Sequence, residues 1–285
     1  MARTIGVAGI QMEIRNGEDH QKKMAHLVKR TSTCFPWVEL ILFSELCVFG
    51  GNPSSAEAIP GPVSDSFCNL AAKYGKWLVP GSLYEKDGDR VYNTAVTISP
   101  SGKIKVKYRK LFPWRPQETN SRGKEFCVFD IPDLGRFGLA ICYDQWFPEV
   151  IRSLAWMGAE VILHPTMTTT SDRALELVIS QANAIFNQLY FLSVNGVGDG
   201  GNGQSIFVDP DGRILQTAGE GEMILTEVLD LDRVTRAREY GTIGLCQTLK
   251  ELRDFPHEFP IYREGIATGE VFKKMGRGWA HKKIG

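Results

Sequence analysis

Four side chains in this sequence have the chemistry and the spacing of a nucleophilic site. Cys142 lies in FGLAICYDQWFPEV (137–150), where an apolar strand runs into a helix whose first turn accommodates Pro148. A thiol on such a turn is presented at a strand end. The backbone N–H groups and helix N-terminus beside it would favour a thiolate and could hold an oxyanion. The competing reading is a small core residue, a common use of free cysteine. Glu45 ends the apolar run ILFSEL. A glutamate is rarely buried without a partner or a task, and desolvation would raise its pKa towards the range of a general base. Lys110, closing KIKVKYRK, could be the cation that a buried carboxylate needs, although a basic edge strand carries lysines anyway. LFPWRPQE then adds Trp114 and Glu118 on a proline-flanked loop that either walls a pocket or turns a corner. His164, followed by Pro165 and Thr166, reads better as a structural hydrogen-bond partner than as the base. Strand C-termini are where α/β proteins place their sites, so Thr166 is expected to rim the pocket.

The elements that must position these groups follow from periodicity. TIGVAGIQM (4–12), VELILFSEL (38–46), WLVPGSL (77–83), AEVILHPT (159–166) and LYFLSVNG (189–196) are apolar runs fit for strands covered on both faces. Between them, 20–34, 63–74 and 172–188 read as helices, so the fold class is α/β. Two hairpins stand out, VYNTAVTISPSGKIKVKYRK (91–110) and IFVDPDGRILQTA (206–218), turning at Pro100-Ser101-Gly102 and Pro210-Asp211-Gly212. Each follows strand–helix units, which suggests two related halves. EMILTEVLDLDRVTRAREYG (222–241) reads as a strand and a short helix. We expect one domain over 1–263 and a basic C-terminal tail over 264–285 that is disordered or packs on a partner subunit.

Composition narrows the function. The 285 residues are 43% hydrophobic and 23% charged, with 33 Lys plus Arg against 33 Asp plus Glu, so nothing global points to nucleic acid or acidic membranes. No apolar run is long enough to span a bilayer, and MARTIGVAGIQ lacks the apolar stretch and cleavage site of a signal peptide. A cytoplasmic protein is expected. The six cysteines form no CxxC, and the five histidines form neither HExxH nor a zinc-spaced cluster, so neither a disulfide framework nor a metal site is expected.

Glu45, Lys110 and Cys142, each at a strand end and in that order, resemble the carbon–nitrogen hydrolase (nitrilase) superfamily. The matching segments are LFSELCVFG, KYRKLFPW and GLAICYDQWFPEVIR, and weaker matches extend the likeness over roughly residues 4–240. The resemblance implies a four-layer α-β-β-α sandwich with two pseudo-symmetric halves, a homodimer or higher homo-oligomer, and no cofactor. It implies acyl transfer to Cys142, with Glu45 as base and Lys110 and the Tyr143 backbone N–H as oxyanion donors. Glu118 matches a second glutamate of the amide-hydrolysing branches, and Trp114, Tyr143 and Thr166 are expected around the substrate. Tyr143-Asp144 stands where true nitrilases usually carry Trp-Glu, so a nitrilase is the weakest reading. YRKLFPWRPQE resembles aliphatic amidases and formamidases, whereas DQWFPE resembles N-carbamoyl amine hydrolases. The implied activity is therefore a small-amide amidase, with N-carbamoyl amine hydrolysis as the alternative.

Overall fold

The near-continuous apolar strands are explained by where their alternate side chains go. Successive side chains of a strand point to opposite faces. In β1 (Thr4–Gln11), Ile5 and Val7 enter one hydrophobic cluster while Ala8 and Ile10 enter another. The computed structural model describes residues 2–242, 244–263, 269–273 and 275, and it contains three such clusters. Burial of a Val, Leu, Ile or Phe side chain is worth about 1.5–3 kcal/mol. A strand with both faces covered therefore gains on each residue, whichever way it points.

The chain lays down β1, the two-residue β2 (Glu13–Ile14), α1 (Gln21–Cys34), β3 (Val38–Phe43), α2 (Pro62–Tyr74) and β4 (Trp77–Val79), then β5 (Ser82–Asp87), β6 (Arg90–Ile98) and β7 (Ile104–Arg109). β1, β3 and β4 are parallel neighbours, β6 is antiparallel to β4, and β7 is antiparallel to β6. A second passage gives β8 (Cys127–Ile131), β9 (Gly135–Leu139), α3 (Pro148–Trp156), β10 (Val161–Pro165), α4 (Arg173–Asn187), β11 (Tyr190–Val194), the two-residue β12 (Val197–Gly198), β13 (Ile206–Val208) and β14 (Ile214–Thr217). Here β9, β10 and β11 are the parallel neighbours, β13 is antiparallel to β11, and β14 is antiparallel to β13. β15 (Met223–Asp230) returns to flank β1 as β8 flanks β9, both antiparallel. α5 (Asp232–Tyr240) and the short helices α6 (Thr248–Asp254), α7 (Pro260–Arg263) and α8 (Glu270–Lys273) follow.

The two sheets thus repeat one plan: a flanking antiparallel strand, three parallel strands linked by helices, and a hairpin. Even the hairpin turns match. Ser99 N–H bonds Lys103 O as Asp209 N–H bonds Arg213 O, and Gly102 N–H bonds Ser99 O as Gly212 N–H bonds Asp209 O. Gly102 and Gly212 hold φ at +74° and +83°, a region that favours glycine. The sheets face each other across the first cluster, which contains Leu42, Leu139, Ile141, Leu163 and Cys142. α1 and α2 cover the outside of the first sheet, and α3 and α4 cover the outside of the second. This is the four-layer α-β-β-α sandwich with two pseudo-symmetric halves. Of the expected tail over 264–285, only 269–273 and 275 are among the described residues.

Candidate active site

The parallel strands of the two sheets end side by side. β3 stops at Phe43, two residues before Glu45, which lies in the turn that follows. Its N–H bonds Thr166 O, just past the end of β10, at 3.2 Å. Lys110 directly follows β7. Beyond β9, Cys142 opens a 3₁₀ turn (Cys142–Trp146), and α3 begins only at Pro148, so a tight turn separates the thiol from the helix. Cys142 adopts φ +47°, a left-handed conformation that costs a non-glycine residue about 1–3 kcal/mol. The surrounding structure holds it there. His164 is fully buried, with Nε2 3.0 Å from Cys142 O and Nδ1 3.0 Å from Ser193 Oγ. A carbonyl can only accept, so Nε2 carries the hydrogen and Nδ1 accepts from the Ser193 hydroxyl. Burial pushes the His164 pKa down to about 3, so the ring is neutral with both nitrogens committed. It positions the Cys142 backbone.

Lys110 and Glu45 are almost wholly inaccessible, and the Lys110 ammonium lies between two carboxylates, 2.8 Å from Glu45 Oε1 and 2.5 Å from Glu118 Oε1. Asn93 Nδ2 donates to the same Glu45 oxygen at 2.7 Å. The Cys142 thiol also hydrogen-bonds this carboxylate. Burial pushes the Glu45 pKa up to about 7, with Lys110 opposing and Glu118 reinforcing the rise. Burial works against the Lys110 charge too, but the negative charges around it, that of Cys142 when ionised and those of Glu45 and Glu118, outweigh it and hold the lysine pKa well above its ordinary value. The expectation of a favoured thiolate at Cys142 is overturned. Burial first, and then the nearby Glu45 charge, push the thiol pKa well above its usual value against the pull of Lys110. The free site therefore pairs a neutral thiol with a carboxylate that titrates near neutrality.

Asp144 is a residue whose task the sequence reading missed. It is fully buried and accepts from Tyr108 O–H at 2.7 Å, Phe112 N–H at 2.9 Å and Ile141 N–H at 2.9 Å. Tyr108 and Phe112 bracket Lys110, and Ile141 precedes Cys142, so one carboxylate ties the lysine segment to the cysteine turn. The signal was there in the form of an acidic residue at the third position of a turn, which reaches back to the N–H before its first residue.

A narrow cavity opens beside Cys142, lined by Trp114, Tyr143, Trp146, Thr168, Asp172 and Glu176 among others, with about 30 Å3 of space for a water-sized sphere. Trp114 and Tyr143 both line it. Thr166 does not: it is fully buried, with its hydroxyl 3.2 Å from that of Thr168, and residues 167–170 form the wall instead. The chain leaves β10 so tightly that its first exposed hydroxyls come later. Glu176 organises this wall, accepting from Trp146 Nε1 at 3.3 Å, Thr168 Oγ1 at 2.7 Å and the buried Arg173 at 3.0 Å.

Residues 6–239 match the carbon–nitrogen hydrolase family. The chain is 30% identical over 203 residues to omega-amidase NIT2 of Mus musculus, a match spanning 66% of this chain and 73% of that protein. It is 34% identical over 200 residues to a formamidase of Bacillus cereus, spanning 65% of this chain and 59% of the formamidase, less than two thirds of its length. The crystal structure of Saccharomyces cerevisiae Nit3, a member of branch 10 of the nitrilase superfamily, superposes with a TM-score of 0.76 at 28% identity, over 83% of this chain and 94% of that one. Among the described residues, no helix is long and apolar enough to cross a membrane, and no three His, Cys, Asp or Glu side chains are grouped to hold a metal ion.

Proposed function

The chain belongs to the carbon–nitrogen hydrolase family, and from that premise we propose that it is a cysteine-dependent amidase, releasing ammonia and a carboxylic acid from small linear amides. The observation that carries this reading is the Lys110 ammonium held between Glu45 and Glu118 beside the Cys142 thiol. Glu45 Oε2 takes the thiol proton as Sγ attacks the amide carbon, which gives a tetrahedral intermediate. An ammonium has three donors, and two are engaged by Glu45 and Glu118. The third is left for the oxyanion. The Tyr143 N–H, which has no partner within its own turn, supplies a second donor. Loss of one such donor typically costs about 2.7–4 kcal/mol in the barrier.

The protonated Glu45 then gives its proton to the departing nitrogen, and ammonia leaves a thioester on Cys142. A water deprotonated by Glu45 attacks the thioester, and the regenerated carboxylate and thiol complete the cycle. Glu118 fixes Lys110 through Oε1. Its Oε2, buried without a partner, can accept from the substrate amide nitrogen. The neutral thiol requires proton transfer during attack, which suits a base titrating near 7.

A second reading, hydrolysis of an N-carbamoyl amine, is favoured by Asp172. Its carboxylate lines the cavity without a hydrogen-bond or ion-pair partner among the described residues and would suit a substrate amine. Ammonia release from formamide, acetamide, propionamide, an N-carbamoyl amine and a simple nitrile separates the readings, with Cys142→Ala as blank. Turnover of short amides that is lost in Cys142→Ala and in Glu45→Gln is expected. Turnover of the carbamoyl amine alone would favour the second reading. Wild-type rates in folded Cys142→Ala would sink both.

A further inference from the structure

Away from the amide site, where β7 of one sheet meets β8 of the other, lies a groove of about 520 Å3. It is far roomier than the cavity beside Cys142 and falls within the roughly 300–1,000 Å3 usual for small-ligand sites. Its walls carry Arg90, Lys107, Arg109, Arg122 and Lys124, together with the Tyr92 ring, over which the Arg109 guanidinium stacks at 3.9 Å. The chain as a whole is balanced in charge, so this gathering is a local departure.

The counter-charges do not match it. The buried Glu85 takes Lys107 at 2.6 Å and Arg109 at 2.8 Å, and Asp87 takes Arg109 at 2.7 Å. Arg90, Arg122 and Lys124 have no carboxylate partner among the described residues, although Glu125 also lines the groove. Arg122 approaches the face of Phe112, at 5.6 Å. Nearby Arg115 is depressed in pKa by burial and then by the Arg122 charge. Like charges held together on a concave wall repel one another, and an anion placed between them reverses the sign of that interaction.

The wall is also held in place. Gly123 N–H donates to Lys110 O at 2.8 Å, and a Cβ at this position would lie 2.1 Å from Arg109 O, so only glycine lets this segment close on β7. A groove formed in advance spares a ligand much of the cost of ordering its site. Guanidinium forks and an ammonium select phosphate and carboxylate oxygens.

We propose that this groove binds a small polyanion, carrying two or more phosphate or carboxylate groups, at a site separate from Cys142. The test is calorimetric titration of the full chain with inorganic tripolyphosphate and with citrate, at an ionic strength held constant with NaCl. Saturable binding of at least one probe is expected, weakened about tenfold or more in Arg122→Gln/Lys124→Gln and unchanged in Cys142→Ala. Hydrogen exchange should slow over 121–126 when the probe is bound. Tighter binding of tripolyphosphate assigns a phosphorylated ligand, and tighter binding of citrate a polycarboxylate. Should the double variant fail to fold, Arg90→Gln alone carries the comparison. No saturable heat with either probe, or binding undiminished in the folded variants, overturns the proposal.

Discussion

Replacing Asp144 by asparagine changes one oxygen to an NH2 group in a site where all three neighbours are donors. The Tyr108 hydroxyl and the Ile141 N–H point at Oδ2, and the Phe112 N–H points at Oδ1. The less costly orientation keeps the oxygen towards Tyr108 and Ile141 and sets NH2 against the Phe112 N–H. That leaves one buried N–H without an acceptor, at about 1–3 kcal/mol, and turns two charge-assisted bonds into neutral ones, at about 0.5–1 kcal/mol each. The expected loss is about 2–5 kcal/mol. With a urea slope of about 3 kcal/mol/M, the unfolding midpoint falls by roughly 1 M. Tyr108→Phe removes a single bond and should cost about 1 kcal/mol. Activity should suffer more than stability. The segment freed in Asp144→Asn carries Lys110, and a displacement of about 1 Å at a reacting group can cost 10²-fold in rate. The assays are urea unfolding followed by tryptophan fluorescence, and ammonia release from the preferred amide. A folded Asp144→Asn with the wild-type midpoint and wild-type kcat would refute the reasoning, because the three bonds would then hold nothing that matters.

The base assignment predicts the pH profile. Glu45 must be unprotonated to accept the thiol proton and titrates at about 7, so kcat/KM should rise with pH through a limb centred near 7, and a limb near 4 would break the assignment. The sign for stability is opposite, since a carboxyl group whose folded pKa lies above its unfolded value loses native stability as pH rises from about 4.5 to 7. Lys110→Met leaves Glu45 and Glu118 facing each other without a cation and should cost about 3–5 kcal/mol at neutral pH. Denaturant midpoints should show that loss shrinking as pH falls and the carboxylates protonate. His164→Leu, which strips the Cys142 carbonyl of its donor, should lower kcat while leaving the acid limb where it was. A limb that disappeared with His164 would make the imidazole the base instead.

How far the sequence could be read depended on how local each feature is. The four layers were legible because a strand buried on both faces leaves a continuous apolar run, as Ile5–Ile10 and Val161–Leu163 do once their side chains are assigned to separate clusters. The two halves were legible because Gly102 and Gly212 mark the same turn in equivalent hairpins. Glu45 and Cys142 stand out as polar groups ending apolar strands, and Lys110 as the last residue of the lysine-rich run KIKVKYRK. What failed depended on partners distant in sequence. The protonation of Cys142 was judged from the turn that follows it, where backbone dipoles favour a thiolate. In the folded chain Glu45, 97 positions earlier, and Glu176 and Glu118 bring negative charge to the same thiol, and burial strips away the water that would have screened them. The rule of strand ends puts Thr166 at the rim, but it lies just past β10 with its N–H on Val194 O, and the tight exit from the strand buries its hydroxyl against that of Thr168. Both failures have one origin. A site at the meeting of two sheets takes its residue types from single strand ends, while its charges and exposures are set jointly by both halves. Asp144 shows the same division, since its reach back to Ile141 was readable in the turn, whereas its hold on Tyr108 and Phe112 exists only where the hairpin of one half crosses the turn of the other.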